Sequence, residues 1–129
     1  MKSVDTNVIV RLIVSDDALQ RREAQSFIAS GAFVSHIALV EAMWVLESVY
    51  GRTAAQIAAT IERLLEHESL MLQDAHVVSR ALAQFRARPR LGFSDCLMLE
   101  VARQTGHLPI GTFDRDLGRL EGAERIGER

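Results

Sequence analysis

AFVSHIALVEAMWVLESVY, residues 32–50, holds two kinds of element in succession. Residues 32–35, AFVS, read as a short strand, and Ser35 offers a hydroxyl to the first free N–H groups of a helix. From Ile37 to Leu46 every residue is apolar except Glu41. Gly51 supplies a stop. Ile37, Val40, Trp44 and Val45 surround Glu41 on the helical net, so little outward face remains for a carboxylate there. Glu47 falls on another side of the helix and reads as solvated. A strand feeding a capped, largely apolar helix is the repeating step of an α/β fold.

The same step recurs on both sides. Residues 2–5, KSVD, are a strand candidate. TNVIVRLIV follows, and either extends that strand or turns into a short helix near Asn7, a choice that periodicity does not make over so few residues. Residues 18–30 read as a helix stopped by Gly31. Thr53 caps a helix reaching about His67, with Ile57, Ile61, Leu64 and Leu65 turned inward. LMLQ, 70–73, is a further strand, followed by a helix over about 75–87. RARPRLG, 86–92, reads as a surface loop. Ser94 begins the next helix and Gly106 ends it. HLPIGTFDRD contributes a short strand and a turn, and the tail, GAERIGER, adds an edge strand. The order predicts one α/β domain over residues 1–129, with a mainly parallel sheet covered on both faces.

Composition narrows the class. The chain has 129 residues, 48% apolar and 25% charged, enough for a core without disulfides or a structural metal. Its formal charge of −2 argues against a uniformly basic protein, yet leaves room for a local nucleic-acid surface. Cys96 is the only cysteine, which fits a reducing cytoplasm. No signal peptide is expected, since Asp5 and Arg11 interrupt the first apolar segment, and no stretch is long enough to span a bilayer.

The informative residues are acids at element ends. Asp5 and Asp114 follow strands, the position where open parallel sheets bind ligands. Asp95 stands just inside a helix start, and Asp116 follows Asp114 closely. Each has a local alternative: a turn for Asp5, the helix N-terminal field for Asp95, a turn cap for Asp114, and solvent for Asp116. Converging carboxylates repel and raise one another's pKa values unless a cation joins them. Oxygen donors without Cys or His partners suit Mg²⁺ or Mn²⁺ better than zinc. Such ions activate water and neutralise a phosphoryl group, so metal-dependent phosphodiester hydrolysis is the chemistry expected.

The blocks VDTNVIVRLIV (4–14), LVEAMWVLESVY (39–50), GFSDCL (92–97) and GTFDRDL (111–117) resemble, in order, those of PIN-domain ribonucleases, specifically VapC-type toxins of toxin–antitoxin pairs. The resemblance covers essentially the whole chain. It implies a three-layer α/β/α sandwich, a homodimer, and Mg²⁺- or Mn²⁺-dependent endoribonuclease activity. It also implies a cognate antitoxin that covers the active site and carries operator-DNA binding. By the same resemblance Asp5 and Asp95 are the direct metal ligands. Glu41 and Asp114 complete the catalytic acids, Asp116 assists a second ion, and Thr112 and Asn7 orient carboxylates or water.

Other residues carry weaker signals. Arg86, Arg88 and Arg90 form a candidate phosphate patch. Arg11 suits a substrate contact or a surface ion pair, and Arg115 lies where it can neutralise an adjacent acid. The four histidines lack metal-ligand spacing. Trp44 and Tyr50 are expected in core or subunit packing, and Cys96 as a small buried residue. Two further readings share this pattern: a metal-dependent DNase or other phosphoryl hydrolase, and a non-catalytic acidic module that binds a basic peptide. The first acid lacks a DxDx[TV] arrangement, and no Gly-rich nucleotide loop is present.

Overall fold

Four side chains start the first four helices. In the computed structural model, which describes residues 1–127, Asp5, Asp17, Ser35 and Thr53 each accept a hydrogen bond from the backbone N–H three residues on. Each such cap stabilises a helix by about 1 kcal/mol. They open α1 (Thr6–Ile13), α2 (Ala18–Ile28), α3 (His36–Ser48) and α4 (Ala54–Glu66). At Thr53 the cap is reciprocal, because Gln56 reaches back to the Thr53 N–H. TNVIVRLI is therefore helical, not a continuation of the strand. The Asp5 side chain takes the Val8 N–H at 3.1 Å and turns the chain into α1.

The chain divides into two compact units, Met1–Ala75 and His76–Arg129. In the first, β1 (Lys2–Ser3), β2 (Ala32–Val34) and β3 (Leu70–Leu72) form a sheet in that order, with both pairings parallel. Parallel neighbours need crossover connections, which α1 with α2 and α3 with α4 supply. Helix α1 packs on α2 and α3, and α4 packs on α3 and β3. Ile9, Val34, Leu39, Leu46, Ile57, Ile61 and Leu64 are all buried, and the one polar side chain described among them, Thr60, donates its hydroxyl to the Gln56 carbonyl.

Helix α5 (Ala75–Ala87) leads into the second unit, which continues with α6 (Phe93–Thr105), β4 (Ile110–Thr112) and β5 (Ala123–Arg125). β5 is the edge strand expected in the tail, and it pairs in parallel with β4, with Thr112 opposite Arg125. The last two residues of GAERIGER lie outside the described residues. The Phe85 and Phe93 rings meet edge to face at 6.2 Å between centroids. Residues 86–92 are not purely a loop, because Pro89–Leu91 makes a short 3-10 turn. Helix α6 starts one residue earlier than expected. Gly92 rather than Ser94 occupies its cap, without a side-chain hydrogen bond. Gly106 ends α6 in the left-handed conformation at φ 77°, as a C-terminal glycine does.

The α/β class and parallel pairing thus agree with the sequence. Among the described residues no helix is long and apolar enough to cross a membrane.

Candidate active site

The first unit places two of the expected acids. Asp5 follows the end of β1 and caps α1, so one carboxylate oxygen is already engaged. It is exposed, and it borders a shallow cleft with Ser3, Val4, Val8 and Phe27. Glu41 lies on α3 and accepts a hydrogen bond from the Thr6 hydroxyl at 2.8 Å. Thr6 is the residue that the sequence reading missed. The resemblance points to Asn7 as an orienting residue, and the hydroxyl of Thr6, beside Asp5, is the group that bonds Glu41.

The expected enclosure of Glu41 is not observed. Glu41 is exposed, and so are two apolar neighbours on its face, Ile37 at 73% and Trp44 at 67%. Helix α3 is apolar on opposite sides. One side, Ala38, Leu39, Ala42, Met43 and Leu46, enters the core, and the other carries Glu41. Trp44 is accordingly no core residue of this chain. Tyr50 is half-buried and donates its hydroxyl to Asp16 at 3.0 Å. Asp16 also pairs with Arg11 at 2.6 Å, so Arg11 takes the surface ion-pair role.

The second unit places the other three. Asp95 is half-buried in the first turn of α6. Burial, and after it the negative charge of Asp114, push its carboxyl above the ordinary aspartate range. Asp114 follows β4 and is tied at two points. Its N–H donates to the Thr112 hydroxyl at 3.0 Å, and its carboxylate accepts from the Leu117 N–H at 2.8 Å. The turn-cap role and closeness to Asp95 therefore coexist in one residue. Thr112 orients Asp114 through its backbone. Asp116 is exposed and lies 3.8 Å from Arg119, not Arg115, in a loose ion pair.

Two neighbours of this acid pair are inert by their surroundings. The Cys96 thiol is fully buried, and burial first, then the charges of Asp95 and Glu100, push it up to about 11. A thiol so placed is a poor nucleophile. Among the described residues the buried acid is Glu100, 4% exposed, which the sequence reading did not single out. It accepts from the Gln84 amide at 3.3 Å and pairs with Arg103 at 3.4 Å, as a buried charge requires. Its signal in the sequence was its register, since it lies on the same face as Cys96, Leu97 and Phe93.

Among the described residues no histidine is hydrogen-bonded or ion-paired to these acids. His36 holds Gln73, with its ring Nε2 2.8 Å from the Gln73 carbonyl oxygen. Among the described residues, no three His, Cys, Asp or Glu side chains are gathered as a ready metal-holding group. What the geometry does show is Asp95 with the negative charge of Asp114 acting on it, and a hydroxyl-fixed pair, Thr6 and Glu41, beside Asp5.

Comparison with known proteins adds one match. The family model of the PIN domain fits residues 2–123. No curated protein and no solved structure matches the chain.

Proposed function

The chain belongs to the PIN domain family, a fold that generally serves metal-dependent nucleases, and from that premise we propose that it is a Mg²⁺- or Mn²⁺-dependent endoribonuclease acting as the toxin of a toxin–antitoxin pair. The observation that carries the chemistry is the raised Asp95 carboxyl beside Asp114. A carboxylate whose charge is disfavoured by burial and by a neighbouring acid is relieved by a divalent cation, and a donor set made of carboxylate oxygens suits a hard one. Bound there, the cation supplies Lewis acidity toward a phosphoryl oxygen and lowers the pKa of water.

The roles of the side chains follow from what holds each of them. Asp5 and Asp95 are the proposed direct ligands. Glu41 is steadied by Thr6, and Asp114 by Thr112 and the Leu117 N–H; these two complete the acidic set. Asp116, exposed and loosely paired, is the proposed ligand for a second ion. A homodimer and a cognate antitoxin belong to the same proposal, with operator DNA reached only through the antitoxin. The exposed apolar side chains Ile37, Trp44 and Val49 support a face that a protein partner covers.

The test uses partner-free protein incubated with total cellular RNA and with DNA, in Mg²⁺, Mn²⁺ or EDTA. Discrete RNA fragments that form only with metal, and disappear in Asp5→Asn and Asp95→Asn, are the expected result. Cleavage of DNA alone would replace the ribonuclease reading with a DNase. Tight binding of a basic peptide without any cleavage would replace it with an interaction module.

A further inference from the structure

The second unit carries a cluster of arginines, most of them without an ion pair among the described residues, that the proposed acidic site does not use. Two clefts flank the 3-10 turn Leu117–Arg119. One, of about 530 Å³, is lined by Arg115, Gly118, Arg119, Ala123, Glu124 and Arg125. The other, of about 280 Å³, runs from Arg88, Pro89 and Arg90 to Asp116 and Arg119. Arg119 lines both, so the clefts adjoin.

The charges there are poorly compensated. Among the described residues Arg88, Arg90, Arg115 and Arg125 make no ion pair, and the Arg119 contact with Asp116 is long at 3.8 Å. The Nε of Arg125 is buried without a hydrogen-bond partner. A buried donor left unmet is uncommon and calls for an acceptor. The backbone is shaped around the same side chain. A Cβ added at Gly118 would stand 2.8 Å from the Cβ of Arg125, so only glycine lets the turn lie directly against it. Clustered guanidinium groups with free forks match the oxygens of phosphates.

An exposed ring follows one register position on. Thr112 is the register partner of Arg125, and the next residue, Phe113, is 76% exposed. Exposed aromatic rings and cationic grooves together are what holds single-stranded nucleic acid.

We propose that these clefts form a backbone track for single-stranded RNA, with Arg88, Arg90, Arg115, Arg119 and Arg125 meeting phosphates and Phe113 stacking on an unpaired base. The identity of the polymer rests on the ribonuclease reading; the track itself rests on the arginines and the ring. An acidic peptide would satisfy the arginines but leave Phe113 without a base to stack on, and a duplex hides its base faces.

The test is binding, measured by fluorescence anisotropy on the full chain in EDTA, where no metal-dependent cleavage occurs. The probes are a labelled single-stranded RNA, the same sequence as a duplex, and an oligo-glutamate peptide. The single strand should bind tightest. Arg115→Ala with Arg119→Ala should weaken it at least 10-fold and lower the slope of log K against log salt by roughly one per arginine. Phe113→Ala should weaken it roughly 5- to 100-fold with the slope unchanged. Arg22→Ala, an exposed arginine on α2, should bind as wild type does. Equal binding of the duplex, tighter binding of the peptide, or no loss in the double arginine variant would each overturn the track. Metal-dependent cleavage by the wild type is scored separately, so a failed track and a failed nuclease reading are distinguished.

Discussion

The candidate acids of the first unit, Asp5 and Glu41, are each supplied with a donor, and Asp95 of the second unit is not. Asp5 spends one oxygen on the Val8 N–H, and Glu41 accepts the Thr6 hydroxyl at the surface. Asp95 makes no side-chain hydrogen bond among the described residues, is half-buried, and is held above the ordinary aspartate range by burial and by Asp114. The difference separates two ways of keeping a carboxylate in place. Where a donor is supplied, the charged form costs little. Where none is supplied, the folded chain carries a standing electrostatic penalty, and a site that takes a cation converts that penalty into affinity.

The sharpest break between the two regions comes from Asp5→Asn and Asp95→Asn. Both should reduce metal-dependent RNA cleavage by more than about 100-fold, beyond the roughly 10- to 100-fold typical of groups that only support a ligand. Their effects on stability should differ. Asparagine caps a helix about as well as aspartate, so Asp5→Asn should leave the metal-free melting temperature nearly unchanged. The folded chain holds the Asp95 proton to higher pH than the unfolded chain does. Stability therefore falls as pH rises from the ordinary aspartate value of 3.8 through the raised one. Asp95→Asn removes that loss and should raise the melting temperature at neutral pH. A melting temperature lowered by Asp95→Asn would erase the contrast.

Next in size are Glu41→Gln and Thr6→Val. Glu41 is exposed, so its replacement should shift stability by no more than about 0.5 kcal/mol. Cleavage should nevertheless fall roughly 10- to 100-fold, and Thr6→Val should reproduce part of that loss by freeing the carboxylate. Chemical denaturation and initial-rate assays on the same preparations separate the two effects. Full activity in Glu41→Gln would remove this residue from the site.

The smallest effect belongs to the scaffold. Ser35→Ala deletes the cap of α3 and should cost about 1 kcal/mol in urea unfolding. A much larger loss would mean that the cap also holds β2 to the start of α3, where His36 and Gln73 are bonded.

Local signals in the sequence carried most of the architecture. Ser35, Thr53 and Gly106 mark helix ends by their own chemistry, and each end falls where that chemistry puts it. TNVIVRLIV was ambiguous because an apolar run of that length packs equally well as strand or helix; the Asp5 hydrogen bond to Val8 decides it. Ser94 misled because Gly92 and Phe93 reach helical geometry without a side-chain cap. The larger error concerned Glu41. An all-apolar helix does not announce which of its faces the rest of the chain covers, and α3 leaves the Ile37–Glu41–Trp44 face open. Glu100 shows the converse. Its register puts it on the buried face with Cys96 and Leu97, and Arg103 one turn on along α6 pairs with it, but the Gln84 amide that completes its satisfaction comes from α5, which spacing along α6 does not reveal.

The central claim is that the acidic site exists to hold a divalent cation, and the Asp95 carboxyl reports on it directly. Its titration, followed by carbon-13 NMR with Asp114→Asn as a reference, should show a raised pKa in metal-free protein and a lower one in the variant. Added Mg²⁺ should bring the wild-type carboxyl down below the ordinary aspartate range, because the bound cation favours the charged form. A titration that stays raised and unmoved at saturating Mg²⁺ would contradict the account.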